Sequence, residues 1–328
     1  MNYVGSSRSK RDGGWVKWIV ALVVFAAIGA GAWYFYPEIR EALGKPGADP
    51  YGDPLSSLSA PDVSNPPDIN GADTATPPDS GDTAWAALAE AQELALEDKL
   101  LEARDKLLKL IKDARDLGRT AEDWREAETL LGKINVELVT TPRQMPGKVV
   151  YSVQEGDTLG KIIDKFVCPQ PHIVKMNPTI RDVNHLRPGN VLRVMDHPKY
   201  EILISKKDNT LVLTFNGDFF KRYTVGTGEY GKTPVGTFVI DDKVEEPVWW
   251  KDGKDIPFSH KENILGTRWL RIAAKGETLP VSGYGIHGTW DDSTLGKQSS
   301  AGCIRMNNAD VEEIFMLVPR GTTVTITE

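Results

Sequence analysis

YGIHGTWDDSTLGKQSSAGCIRMN (284–307) holds Cys303, one of two cysteines in the chain, sixteen residues after His287, one of five histidines. A thiol becomes a useful nucleophile when a neighbour takes its proton or stabilises the thiolate. Histidine suits that task because its proton affinity is matched to neutral pH. Gly302 removes a side chain just before the sulfur, which lets a substrate or a backbone amide come close. Arg305 lies two residues beyond Cys303 and shares its face if the segment is extended. There it is placed to hold a carboxylate or to offset charge on a tetrahedral intermediate.

Residue types alone leave a second reading open. Cys303 beside Ile304 and Met306 also fits a small buried hydrophobe, and His287 a satisfied strand histidine. Zinc fits poorly, because one cysteine and one histidine would need Asp291 and Asp292 as weak further ligands, so no metal and no cofactor are expected.

HGT (287–289) followed by S-x-G-C-I-R-M (Ser300–Met306) resembles the signature of the L,D-transpeptidase catalytic domain, the bacterial peptidoglycan cross-linking fold. The resemblance extends over about 199–327, through KYEILISKKDNTLVLTFNGDFFKRYTVGTGEYGKTPVGTFVI (199–240) and NILGTRWLRI (263–272). It implies Cys303 as nucleophile, His287 as base, the Gly288 carbonyl orienting the ring, and amides near Gly302–Cys303 holding the oxyanion with Arg305 nearby. Where many members have SHGC, this chain has Ala301, which removes one side chain from the acceptor side and leaves nucleophile and base in place. Trp249, Trp250, Tyr284, Thr289, Ser300 and Asn307 are assigned to substrate binding. The implied reaction forms a thioester with a tetrapeptide stem, releases D-alanine and passes the acyl group to an amine. Water as acceptor would make a carboxypeptidase, and a peptide-binding scaffold without catalysis is the competing class.

Around that domain the chain is modular. At 328 residues it is long enough for several domains, and a net charge of -7 without a basic, aromatic-interleaved stripe argues against nucleic acid as partner. Residues 1–17 are basic, and WIVALVVFAAIGAGAWYFY (18–36) is an uncharged run bracketed by Trp and Tyr. At about 1.5 Å per residue it just spans a hydrocarbon core of about 30 Å, so it reads as a single membrane anchor with its N-terminus in the cytoplasm. A secretory signal cleaved after Ala30–Gly31–Ala32 is the alternative, and both readings place the rest in the periplasm or cell-wall space. Residues 37–82 are proline-rich and polar, an extended tether.

From Ala84 to about Leu117, Ala, Leu and Ile recur at helical intervals, and a second helix runs from Thr120-x-x-Asp123 through Trp124, Leu131 and Ile134. Residues 83–138 are thus expected to form a helical hairpin that packs on a partner, on a second copy, or on the module that follows. VVYSVQEGDTLGKIIDKF (149–166) with MNP (176–178) and LRPGNVLRV (186–194) resembles a LysM domain, strand–helix–helix–strand, over 149–195. The resemblance implies glycan binding, assigned to Gly156, Asp157, Thr158, Asn177 and Pro178. In 199–328 short alternating runs, with turns at Asp208–Asn209 and Asn216–Gly217, predict a mainly antiparallel β domain with one small helix. EPVWWKDGKDIPF (246–258) reads as a loop over the cleft, and Cys168 as an isolated thiol.

Overall fold

The computed structural model describes residues 80–116, 124–180, 182 and 185–328. The expected cytoplasmic segment (1–17), the expected anchor at 18–36 and the expected tether up to residue 79 lie outside them, as do Leu117, Gly118 and the expected cap at Thr120–Asp123. Among the described residues no helix is long and apolar enough to cross a membrane.

Helices α1 (Ser80–Leu96), α2 (Leu100–Asp116) and α3 (Arg125–Thr140) replace the expected hairpin. The first helical stretch is broken because Asp98 adopts φ 64°. Lys99 N–H then donates to Leu94 O and Asp98 N–H to Ala95 O, which is the Schellman pattern. Glycine usually marks that left-handed position, and aspartate in its place hid the break. α3 packs on the module that follows it, one of the packings left open by the sequence, and also on the sheet of the C-terminal domain.

The LysM-like unit is β1 (Lys148–Ser152), α4 (Leu159–Phe166), α5 (Gln170–Met176) and β2 (Val191–Met195), with β1 and β2 antiparallel. Thr158 caps α4, its hydroxyl accepting Lys161 N–H at 3.3 Å. Leu159, Ile162 and Phe166 face inward. Buried polar contacts fasten this unit to α3. Lys148 Nζ donates to the carbonyls of Leu138, Thr141 and Arg143 beyond the helix end, and burial pulls its ammonium down to about 8. His172 Nε2 lies 3.0 Å from Val139 O.

The C-terminal domain is built on β3 (Tyr200–Ser205), β4 (Thr210–Phe215), β5 (Asp218–Thr224), β6 (Thr227–Gly228), β7 (Gly236–Glu245), β8 (Trp249–Lys251), β9 (Lys254–Ile256), β10 (Arg268–Ala274), β11 (Gly285–His287), β12 (Gln298–Ser300), β13 (Ile304–Arg305), α6 (Asn308–Leu317) and β14 (Thr323–Thr327). Eight strands form one sheet in the order β13-β11-β10-β7-β14-β3-β4-β5, antiparallel except for β11/β13 and β14/β3. Asn216 and Gly217, both at positive φ, turn β4 into β5.

Thr227–Gly228 form a short strand paired with β12, and one reading changes here. The 246–258 stretch is a hairpin, β8/β9, closed by Asp252–Gly253 at positive φ. That Asp-Gly pair was the overlooked signal.

The two edges of the large sheet have different fates. At one, α3 covers β5: Asn135 Nδ2 donates to Phe220 O at 2.9 Å, and Arg222 makes two bonds with the buried carboxylate of Glu128. Gly132 lets the Lys221 side chain pass close to the helix. A covered edge cannot recruit another strand. At the other edge, β11 ends on buried His287, and Cys303 immediately precedes β13.

Candidate functional site

Parallel pairing sets Ile286 opposite Ile304 and His287 opposite Arg305. Both isoleucines are fully buried, so they pin the two strands to the core. Gly226 bridges to Arg305 on its other side through paired backbone bonds of 2.8 Å. These contacts hold His287, Cys303 and Arg305 on the wall of one cavity of about 670 Å³.

The turn before the sulfur is locked. Ser300 Oγ donates to Cys303 O at 2.7 Å and accepts Gly302 N–H at 3.0 Å. Buried Thr233 accepts Gly228 N–H at 2.7 Å and donates to Gly302 O at 2.8 Å. Gly302 has φ 134°, and a Cβ there would lie 2.6 Å from the Tyr284 ring, so only glycine fits. Gly302 N–H is therefore occupied, whereas Cys303 N–H has no partner among the described residues. The expected oxyanion donors narrow to the Cys303 amide.

His287 is 2% exposed. Its Nδ1 lies 2.6 Å from Gly288 O. A carbonyl only accepts, so Nδ1 carries the proton and Nε2 keeps its lone pair. Trp269 stacks on the ring at 5.6 Å between centroids, a contact that sequence reading missed. Burial drives the imidazole down to about 4, assisted by the charge of Arg305 and opposed by the Gly288 and Leu265 carbonyls. Burial raises the Cys303 thiol above its ordinary value, while Gly285 N–H and Arg305 oppose this. Both groups therefore rest neutral near pH 7. Both cysteines are free thiols. The guanidinium of Arg305 makes no hydrogen bond or ion pair among the described residues, which leaves it available to an anion.

Of the residues assigned to substrate binding, Trp249, Trp250, Tyr284 and Ser300 line this cavity. Thr289 and Asn307 do not. Thr289 Oγ1 accepts Asp291 N–H and braces the loop after β11, and Asn307 caps α6 by accepting Asp310 N–H at 2.8 Å. Both side chains are engaged locally instead, and Asn307 Nδ2 also donates to the Asp310 carboxylate.

In the LysM-like unit, Asn177 is 3% exposed. It donates to Ile173 O and Arg193 O and accepts Arg193 N–H. It clamps α5 to β2, with both amide protons and one lone pair of Oδ1 engaged inside the domain. Gly156 and Asp157 stay at the surface, where Asp157 accepts from Tyr151 Oη and Gln154 N–H. Thr158 is spent on its helix cap, and Pro178 is exposed beside Asn177. Cys168 is fully buried, and its thiol is raised to about 11 by burial. Among the described residues no group of three or more His, Cys, Asp or Glu is arranged to hold a metal ion.

The neutral histidines predict how stability depends on pH. His172, like His287, is lowered to about 4 by burial. An unfolded histidine binds its proton near pH 6.5, so between about 6.5 and 4 the unfolded chain holds more protons. Stability is then full above that window and lost as pH falls through it, by about 1.4 kcal/mol per pH unit for each ring. Urea unfolding at about pH 7 and about pH 4.5 checks this, and His172→Gln should reduce the slope by about half.

The family profile of the L,D-transpeptidase catalytic domain matches residues 199–326, and that of the LysM domain matches 151–194. The chain is 32% identical over 182 residues to the putative L,D-transpeptidase YkuD of Bacillus subtilis strain 168, covering 54% of this chain and 98% of that protein. It is 38% identical over 128 residues to the putative L,D-transpeptidase YqjB of the same strain, covering 39% and 70%. A solved L,D-transpeptidase from Mycobacterium tuberculosis H37Rv superposes with a TM-score of 0.33 at 16% identity, over 44% of this chain and 75% of that one. With its β-rich C-terminal domain preceded by a LysM domain, the chain belongs to the L,D-transpeptidase family.

Proposed function

We propose that the chain is a cysteine-dependent peptidoglycan L,D-transpeptidase. The observation that carries this reading is the placement of Cys303, just before β13, on one cavity wall with His287 of β11 and Arg305 of β13. The sulfur attacks the carbonyl carbon at the third residue of a tetrapeptide stem and passes its proton to Nε2 of His287. Because the resting thiol and imidazole are both neutral and their proton affinities lie far apart, the proton moves as the S–C bond forms. The Cys303 amide holds the developing oxyanion, and Arg305 lies close enough to offset its charge or to hold a substrate carboxylate.

His287 then returns the proton to the departing amine, D-alanine leaves, and a thioester remains. The side-chain amine of a second stem attacks the thioester to give a 3→3 cross-link. Trp249 and Trp250 on the β8/β9 hairpin flank the path of the stem, and the LysM domain holds the glycan to which the stem is attached. Concentrating a polymeric substrate beside the site raises its effective concentration without any new contact at the reacting atoms. The apolar run at 18–36 supports a membrane-anchored enzyme acting outside the cytoplasm.

Intact mass after incubation with purified tetrapeptide muropeptides tests the reading. A covalent acyl adduct with loss of D-alanine is expected, absent in Cys303→Ala. Cross-linked dimer as product supports amine transfer. A free tripeptide stem instead indicates water as acceptor, and binding without any adduct overturns the enzyme reading.

A further inference from the structure

The sulfur of Cys303 is held by a strap that has its own fastening. Sγ lies 3.5 Å from Gly283 O as donor, and Gly285 N–H points at it from the start of β11. Gly285 is fixed, because it pairs with Arg271 of β10. Gly283, at φ 79°, instead ends the connection 275–284 that leaves β10. Within that connection Leu279 is 81% exposed, so it contributes little to holding the strap down.

Val281 packs against the core and Tyr284 O accepts Ile272 N–H at 3.2 Å at the far end of the strap, and its near end is fastened at Thr278. Its hydroxyl accepts Thr237 N–H at 2.9 Å, and Lys275 N–H donates to Thr237 O at 2.9 Å. Its methyl occupies the space in front of Gly236, where a Cβ would come within 2.6 Å of Cγ2. Gly236 has φ 143°, so glycine is needed there for conformation and for room. Thr278 is thus keyed into β7 by one hydrogen bond and one steric fit, five residues before the carbonyl that receives the thiol proton. The carbonyl dipole favours S–H over the thiolate, because it stabilises the proton and repels negative charge on sulfur.

We infer that Thr278 is a positioning residue for Cys303: keyed against Gly236 and Thr237, it sets the Gly283 carbonyl that holds the thiol in its protonated, resting orientation. This rests on Cys303 being the nucleophile. Its consequence is that the strap competes with His287 for the thiol proton, so displacement of 279–283 frees the thiol for the base. The other charged or titratable groups lining the cavity around the sulfur are His287 of β11, Arg305 of β13, Arg271 of β10, Asp242 of β7 and Tyr284. None of them is on the 278–283 strap. Arg271 is paired with Asp241 and Asp242 with Arg320.

The test is the pH profile of Cys303 alkylation by iodoacetamide on the full chain, with the labelled site read by peptide mass so that Cys168 is scored separately. Thr278→Val keeps the side-chain volume and removes the acceptor. It is expected to shift the alkylation midpoint to lower pH by about half a unit to one unit, a several-fold gain in rate at pH 7. Thr278→Ser, which keeps the hydroxyl, should retain the wild-type profile. Gly236→Ala, which displaces Thr278 without touching it chemically, should reproduce the shift and stands in if Thr278→Val does not fold. Superimposable profiles for wild type and the folded variants overturn the inference, as does a Thr278→Ser shift equal to that of Thr278→Val. A lowered melting temperature with an unmoved profile assigns Thr278 to stability alone and also overturns it. Alkylation needs no peptidoglycan, so a failure here is distinct from failure of the transpeptidase reading, which is scored by the acyl adduct.

Discussion

His287→Ala is expected to slow acylation of Cys303 by about 10²–10⁴-fold, the range for loss of a positioned general base. The ring rests neutral with Nδ1–H committed to Gly288 O, so Nε2 is ready to accept a proton at any pH well above about 4. The thiol, raised by burial, does not ionise by itself near neutrality. Without the base, reaction must wait for the small thiolate fraction, and the rate should rise with pH across the neutral and alkaline range. Single-turnover mass spectrometry across pH 6–9 measures both effects. An unchanged rate in a folded His287→Ala would remove the ring from the mechanism. Folding is not expected to fail outright, although Trp269 loses its stacking partner.

Asn135→Leu is expected to destabilise the protein by about 2–4 kcal/mol while leaving every group in the cavity untouched. Asn135 is 1% exposed. It donates to Phe220 O and accepts from buried Arg104 Nε at 2.9 Å. Leucine is similar in volume, so the loss comes from two stranded polar groups, one of them charged, rather than from a cavity. Urea titration with parallel alkylation of Cys303 checks this: stability should fall with the folded-state rate preserved. Glu126→Ala, which removes only an exposed contact with Gln92, should change stability by about 0.5 kcal/mol or less. The helices are in this view a cover for the β5 edge. Deleting the LysM domain would likewise bare the α3 end that Lys148 and His172 hold, so point variants on its surface separate glycan capture from folding better than truncation does.

The Cys303 and His287 pair, proposed here for catalysis, stood out in the sequence because its motifs are local. A cysteine between glycine and a short apolar run, and a histidine beside glycine, carry their meaning in a few contiguous residues. The LysM domain was legible for a similar reason: GDTL states a turn and a helix cap together, and Thr158 caps α4. The three helices were misjudged as two, since Asp98 takes a backbone conformation that usually announces itself as glycine. The β8/β9 hairpin was misread although its Asp-Gly turn was in plain view, because the flanking prolines argued for a loop.

Other features belong to tertiary structure because the partners lie far apart in the chain. Asn177 and Asn307 have the composition of binding residues, and only the fold shows that Asn177 clamps α5 to β2 and Asn307 caps α6. Thr233 and Gly302, or Thr278 and Gly236, meet across tens of residues through a hydroxyl and a missing Cβ. Sequence alone determined the family and which kind of sheet carries the Cys303 thiol and His287 ring, since motif and alternation are properties of short segments. The sheet's closure decided the rest: which amide is free, which carbonyl holds the thiol and how the ring loses its charge all depend on burial and distance between strands remote in sequence.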